Sequence, residues 1–309
     1  MKILITGSNG LLGQKLVYKL RNQANTNLIA TARGENRLLQ TSGYVYDQMD
    51  ITNETEVHNI LTKHMPDAVI HTAAMTNVDA CESEKELAVA MNTSAVQYIV
   101  DALQELQQKN AGYNPQLVHL STDFIFDGTH GPVDEQEKPN PLSFYAETKL
   151  NAEKIVQSSK LHWAIARTVL VYGIVDNMSR SNIVLWAKQN LEQGKKINVV
   201  DDQFRSPTLA EDLADGCILL VQKKAQGIYN ISGKDFMSIL QLVHQVADYY
   251  GLDKSLINPS KSADIKQPAK RPPITGFIID KAIKDLGYSP HSFVEGIKLM
   301  DEQVKKQSV

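Results

Sequence analysis

Gly7, Gly10 and Gly13 stand three residues apart, directly behind the apolar run Lys2–Thr6 and directly ahead of Leu11, Leu12, Leu16, Val17 and Leu20, which recur at helical spacing. No other feature limits the fold of this chain so strongly. A strand that turns at once into a helix through glycines is the opening βα unit of a dinucleotide-binding sheet. Glycine there permits a tight turn, close approach of backbone to a pyrophosphate, and close helix–strand packing, while the helix N-terminus faces the negative charge. The pattern is GxxGxxG rather than GxGxxG, and it makes Gly7, Asn9, Gly10, Leu11, Leu12 and Gly13 candidate cofactor contacts.

The N-terminal half continues in the same rhythm. Strands are expected at Leu28–Ala32, Tyr44–Tyr46, Ala68–Thr72, Leu117–Ser121 and Trp163–Leu170. Helices are expected from Asn53, with Glu56 as a capping-box partner, through Lys63, and over Glu84–Lys109 and Tyr145–Ser158. Short β-branched runs alternating with amphipathic stretches mean βαβ units, hence a Rossmann-type doubly wound parallel sheet. After residue 170 the rhythm loosens and prolines interrupt it. A strand at Gln226–Ile231, a helix at Ser238–Tyr250 and a surface loop over Pro259–Pro273 are the readable elements. We expect a cofactor-binding domain over 1–170 and a smaller substrate-binding region over 171–309, with a soft border because one sheet strand can come from each side.

The second strand ends in Ala32-Arg33, where an NAD-binding chain carries an acid for the ribose hydroxyl. A guanidinium suits a 2′-phosphate, so NADP(H) is the expected cofactor. Glu35 two residues on leaves NAD(H) admissible. Tyr145 and Lys149 form a YxxxK unit, and residues i and i+4 share a helix face. A cation beside a phenol lowers its pKa toward working pH and fits it for proton transfer. Tyr250 and Lys254 repeat the spacing, but Gly251 ends the helix between them, and we dismiss that copy. The turn Ser121-Thr122-Asp123 at the end of the fifth strand can present a hydroxyl at the carboxyl edge of the sheet, where ligands bind in open α/β folds.

Taken together, the glycine turn, Ser121-Thr122-Asp123 and Tyr145/Lys149 resemble the extended short-chain dehydrogenase/reductases. Within them the chain is most similar to the dTDP-4-dehydrorhamnose reductase group, through His71–Glu82, Ser121–Gly128, Tyr145–Glu153, Asp202–Thr208 and Arg271-Pro272. The resemblance implies an NADPH-dependent reductase of a nucleotide-linked 4-keto-6-deoxy sugar. In it Thr122 bonds the reacting carbonyl, Tyr145 donates the proton, and Lys149 binds the nicotinamide ribose and tunes Tyr145. It implies cofactor contacts at Asp50, Ile51, Ala73, Ala74 and Met75, an Asn92 that supports the site, and substrate contacts at Thr76, Asp123, Phe124, Arg205 and Arg271. Two positions depart from the family. Leu170 replaces a pocket tryptophan, and Arg205 replaces a glycine, where it either grips a diphosphate or lies on the surface. The alternatives are another sugar-nucleotide epimerase or dehydratase of this superfamily, or a non-catalytic NADP-binding regulatory subunit on the same fold. Phe124, where dehydratases carry glutamate, counts against elimination.

Composition removes other classes. A net charge of -3 and a pI near 6.2 give no basic face for nucleic acid. Two cysteines, Cys81 and Cys217, exclude a disulfide framework. No histidine clusters with a cysteine at metal-ligand spacing, and neither a GxSxG elbow nor a GxxxxGK[ST] loop occurs. No apolar run reaches the roughly 18 residues of a membrane span and no cleavable leader is legible. A cytoplasmic protein without membrane or metal, with a nucleotide sugar as partner and a homodimer admissible, is the expectation.

Overall fold

The computed structural model describes residues 1–178 and 181–307. Seven parallel strands form its central sheet: β1 (Lys2–Thr6), β2 (Asn27–Ala32), β3 (Val45–Gln48), β4 (Ala68–His71), β5 (Gln116–Thr122), β6 (His162–Thr168) and β7 (Gly227–Asn230). Their order across the sheet is β3-β2-β1-β4-β5-β6-β7, so the direction of winding reverses between β1 and β4. At such a reversal the loops after the two strands part and leave a crevice at their carboxyl ends. Here the loops are the glycine turn after β1 and the segment from Thr72 after β4.

Alternation along each strand feeds two cores. Ile3, Ile5, Ile70, Val118 and Ala166 face helix α1 (Leu11–Leu20) and a helix from the second half, Ala210–Gln222. Leu4, Val69, Leu117 and Ile165 face α2 (Glu54–His64), α3 (Ala95–Lys109) and α4 (Phe144–Ser158). Both sheet faces are covered, which is why the strands read as continuous apolar runs. A third core, around Tyr172, Leu191, Leu242, Val246 and Phe293, belongs to the C-terminal lobe.

β7 comes from the second half of the chain and pairs with β6, Ile228 opposite Ile165, so the sheet crosses the expected border at residue 170. The helix expected over Glu84–Lys109 forms, running from Lys85 through a π-turn at Ala90–Ser94 into α3, and a separate short helix, Val78–Ser83, precedes it. No glycine or proline marks the π-turn, so nothing local announces it. The stretch read as a loop over Pro259–Pro273 begins in a strand, Ile257–Ser260, paired with Ile197–Val200. Pro259 is tolerated because that two-stranded ribbon leaves one edge of each strand unpaired. Asn53 does cap α2, accepting from the Thr55 and Glu56 amides, but the Glu56 carboxylate reaches the Asp50 amide rather than closing the box.

Candidate active site

The glycine turn is built as the spacing requires. Gly7 sits at φ +70°, and a Cβ there would come within 2.8 Å of the Ala73 backbone. A Cβ on Gly13 would lie 2.2 Å from the Gly7 carbonyl oxygen, so α1 touches β1 with no room for a side chain. Gly10 begins α1 without a side-chain cap, which leaves first-turn amides directed at the crevice. Such a cradle, closed to side chains and lined with free N–H groups, fits a dinucleotide pyrophosphate. Leu11 and Leu12 are half-buried at its rim, and Ala73 and Ala74 flank it from the β4 side.

Asn9 bonds across to the loop after β2. Its amide donates to the Glu35 carbonyl (2.8 Å) and accepts from the Arg37 amide (2.9 Å), so it pins the loop after β2 to the glycine turn. Tyr46 holds the same loop by donating to the Gly34 carbonyl at 2.6 Å. Arg33 projects from this anchored loop into solvent. Asp50, read as an adenine contact, uses Oδ1 to accept from the amide and hydroxyl of Thr52, a local turn of the kind aspartate favours. Ile51 is buried in the core beneath it.

Thr122, Tyr145 and Lys149 converge at the carboxyl end of β5. Ser143 caps α4 by accepting from the Ala146 amide, and Glu82 accepts from the Phe144 amide, so both ends of the first turn are fixed. Tyr145 is buried, with the Phe124 ring edge-on at 6.1 Å. Burial holds its phenol well above the usual tyrosine range, and the neighbouring Thr122 hydroxyl pulls it only part of the way back. The Lys149 ammonium donates to the Leu120 carbonyl at 2.6 Å. Burial also brings Lys149 down to about 8. Behind them His71 and His119 stack with centroids 5.5 Å apart, and His71 Nδ1 meets the Thr6 hydroxyl at 2.7 Å. Thr6 accepts in turn from the Ala73 amide at 3.3 Å. Nothing local marks this histidine pair in the chain, because each residue is isolated in an apolar strand.

Asn92, Arg205 and Arg271 each bond to other residues of the chain. Asn92, in the π-turn, accepts from the Met75 amide (2.8 Å) and donates to the Met75 carbonyl (3.0 Å) and the Thr148 hydroxyl (3.1 Å). Both its amide protons are used, so it holds the segment after β4 against α4, as a residue supporting the site would. Arg205 is neither exposed nor free for a diphosphate. It is buried, donating to the Phe204, Pro272 and Pro273 carbonyls at 2.7, 2.8 and 3.1 Å, with Nε 4.0 Å from Asp123. A guanidinium out of water needs that many acceptors. Arg271 makes a two-pronged pair with Asp79 at 3.1 and 2.7 Å.

Asp123, the other partner of Arg205, accepts from Thr122 at 3.0 Å and from Thr275, and burial raises its carboxyl pKa. Phe124 lies beneath the Arg205 guanidinium, and Thr76 is exposed at the mouth of the crevice. Leu170 is half-buried at φ +36°, its carbonyl accepting from the Thr208 amide. The second YxxxK falls apart: Tyr250 stacks under Lys188, and Lys254 pairs with Asp248 at 2.5 Å.

Fold and site define an extended short-chain dehydrogenase/reductase, an oxidoreductase with its dinucleotide cradle at the β1/β4 reversal. The family profile described as RmlD substrate binding domain matches residues 1–306, and the chain belongs to that family. It is 29% identical to methionine adenosyltransferase 2 subunit beta of Bos taurus over 84% of this chain and 75% of that one. It is 27% identical to the probable low-salt glycan biosynthesis reductase Agl14 of Haloferax volcanii, over 97% of each. Among solved structures, dTDP-4-dehydrorhamnose reductase from Bacillus anthracis in complex with NADP superposes with a TM-score of 0.83 at 26% identity, covering 98% of this chain and 99% of that one. Among the described residues no helix is long and apolar enough to cross a membrane.

Proposed function

We propose that this protein is an NADPH-dependent reductase of a nucleotide-linked 4-keto-6-deoxy sugar. The observation that carries the reading is the convergence of Thr122, a buried Tyr145 and a buried Lys149 at the carboxyl end of β5, the strand next to β4 at the reversal that the glycine turn lines. When bound, a reduced nicotinamide supplies the hydride. The chain supplies the rest. Tyr145, kept protonated by burial, gives its proton to the oxygen left negative at the keto carbon. Thr122 holds the phenol in place and, once the proton has left, turns its own hydroxyl toward the phenolate. Lys149 provides the compensating positive charge. Preorganised donors of this kind, in a site closed to water, stabilise developing charge without reorganisation.

The C-terminal lobe supports a nucleotide-linked substrate. A cavity of about 220 Å³ there is lined by Trp186, Asn198, Val200 and Gln203, and Gln203 leads directly to Arg205 beside Asp123. A larger cavity of about 460 Å³ lies under the loop Phe126–Asn140, outside the crevice, and plays no part in this reading.

Replacing Tyr145 with phenylalanine tests the mechanism, since it removes the acid and leaves α4 and its packing intact. General acid catalysis is worth about 10²–10⁴ in rate. With dTDP-4-dehydrorhamnose as substrate, kcat should fall by that order while the NADPH Kd stays unchanged; wild-type turnover would rule tyrosine out as the acid. The relatedness to methionine adenosyltransferase 2 subunit beta favours a second reading, a cofactor-binding subunit without turnover. Tight NADPH binding with no oxidation across a panel of nucleotide-linked keto sugars would decide for it.

A further inference from the structure

Tyr145, Lys149 and Glu153 follow at four-residue steps, so α4 carries a phenol, an ammonium and a carboxylate along one buried face. Glu153 has no exposed surface, and its carboxylate takes both prongs of Arg167 from β6, Nε to Oε1 at 2.9 Å and Nη2 to Oε2 at 2.8 Å. Arg167 is held in turn. It donates to the Glu135 carbonyl at 3.2 Å and lies over the Phe126 ring, 5.3 Å from its centroid. The chemistry proposed above uses neither residue.

We propose that Glu153 and Arg167 are positioning residues that set the charge of Lys149: Glu153 keeps the buried ammonium protonated, and Arg167, by holding both carboxylate oxygens, limits that effect and keeps Lys149 on the Leu120 carbonyl. The inference deepens the reading of Lys149 as the charge partner of Tyr145 and rests on it.

The surroundings of Lys149 leave this role to Glu153. On its own helix stand Tyr145 and Glu153. From β4 comes His71 and from β5 His119, both fully buried and kept neutral by burial and by the ammonium itself. From the turn after β5 comes Asp123, already engaged by Thr122, Thr275 and Arg205. From β6 comes Arg167. Lys149 donates to a neutral carbonyl, which compensates little of the cost of removing its charge from water. Burial depresses its pKa to about 8, and Glu153 is the group that raises it against that depression. An unclamped carboxylate one turn away would draw the ammonium into a direct pair and off the Leu120 carbonyl. The two-pronged grip of Arg167 prevents this.

Removing either half of an ion pair loosens a purely structural element in the same way. Here the two halves should act in opposite directions. In the full-length protein labelled with ¹³C-lysine, the Lys149 Cε resonance is identified by its loss in Lys149→Met, and its titration midpoint is followed by NMR. Glu153→Gln should lower the midpoint by about one pH unit, and Arg167→Gln should raise it by a similar amount. The double variant Glu153→Gln/Arg167→Gln leaves neither half of the ion pair without the other, and the midpoint of Lys149, now lacking its carboxylate, should also fall below that of the parent. It carries the test if either single variant fails to fold. Midpoints that do not move, or that move in one direction for both single variants, overturn the proposal. The Tyr145→Phe turnover experiment fails or succeeds independently, so loss of the reductase reading and loss of this inference are told apart.

Discussion

At the scale of single residues, burial sets the site's titration behaviour more than neighbouring charge does. His119 has no exposed surface and no hydrogen-bond partner on either ring nitrogen, and desolvation takes its pKa well below the ordinary 6.5. The folded-state value is depressed, so the unfolded chain binds more protons below pH 6.5. The stability this residue permits is therefore fully present above that pH and is lost as pH falls below it. His119→Leu, which cannot take up a proton, should flatten the loss. Its urea midpoint should drop less between pH 7 and pH 5 than that of the parent, a difference of about 2 kcal/mol at pH 5. An unchanged slope would mean the ring is solvated in a way its burial denies. Arg33 is the opposite case, an exposed guanidinium on a loop pinned by Asn9 and Tyr46. If it meets a 2′-phosphate, Arg33→Ala should weaken NADPH binding by about 1.5–3 kcal/mol and leave NADH binding nearly unchanged. Titrating both cofactors by fluorescence checks this, and equal losses would assign Arg33 to the solvent.

At the scale of elements, the π-turn at Ala90–Ser94 places Asn92 against both the segment after β4 and α4. A π-turn inserts a residue that a regular helix has no room for, and such turns persist where a function repays the poorer hydrogen bonding. Here the return is a rigid link between the Met75 backbone and Thr148, which lies between Tyr145 and Lys149 on α4. Asn92→Ala would leave the buried Met75 amide without its acceptor. Stability should fall by about 1–3 kcal/mol, read as a lower chemical-unfolding midpoint, and kcat should fall with it. Asn92→Asp, which keeps the acceptor, should recover the Met75 contact in part.

Across the whole molecule, one buried pair joins the C-terminal lobe to the turn after β5. Arg205 ties the carbonyls of Pro272 and Pro273 to Asp123, whose other oxygen accepts from Thr122. Removing one partner of a buried ion pair leaves the other uncompensated, so Arg205→Met should destabilise the protein by about 3–5 kcal/mol. The double variant Arg205→Met/Asp123→Asn should recover part of that loss, because no lone charge remains. Denaturation of the two single variants and the double variant measures the coupling, and strictly additive losses would show that Arg205 and Asp123 act apart.

The glycine turn, the alternation of short apolar runs with amphipathic stretches, and the YxxxK unit were legible in the chain because each rests on local periodicity or local backbone geometry. They sufficed for the parallel doubly wound sheet and for choosing Tyr145 over Tyr250, where Gly251 ends the helix. The contribution of β7 to the sheet, the π-turn ahead of α3, and the partners of Asn92, Arg205 and Arg271 were decided only in three dimensions. Asn92 and Arg205 are buried, and Arg271 is part-exposed beside Asp79. A polar group moved out of water must find partners wherever the fold brings them, and those partners, Met75 and Thr148, Asp123 and the Pro272 carbonyl, Asp79, lie 17 to 192 residues away along the chain. Residue type showed that these side chains carry charge or hydrogen bonds; tertiary packing determined that they spend them on the protein itself.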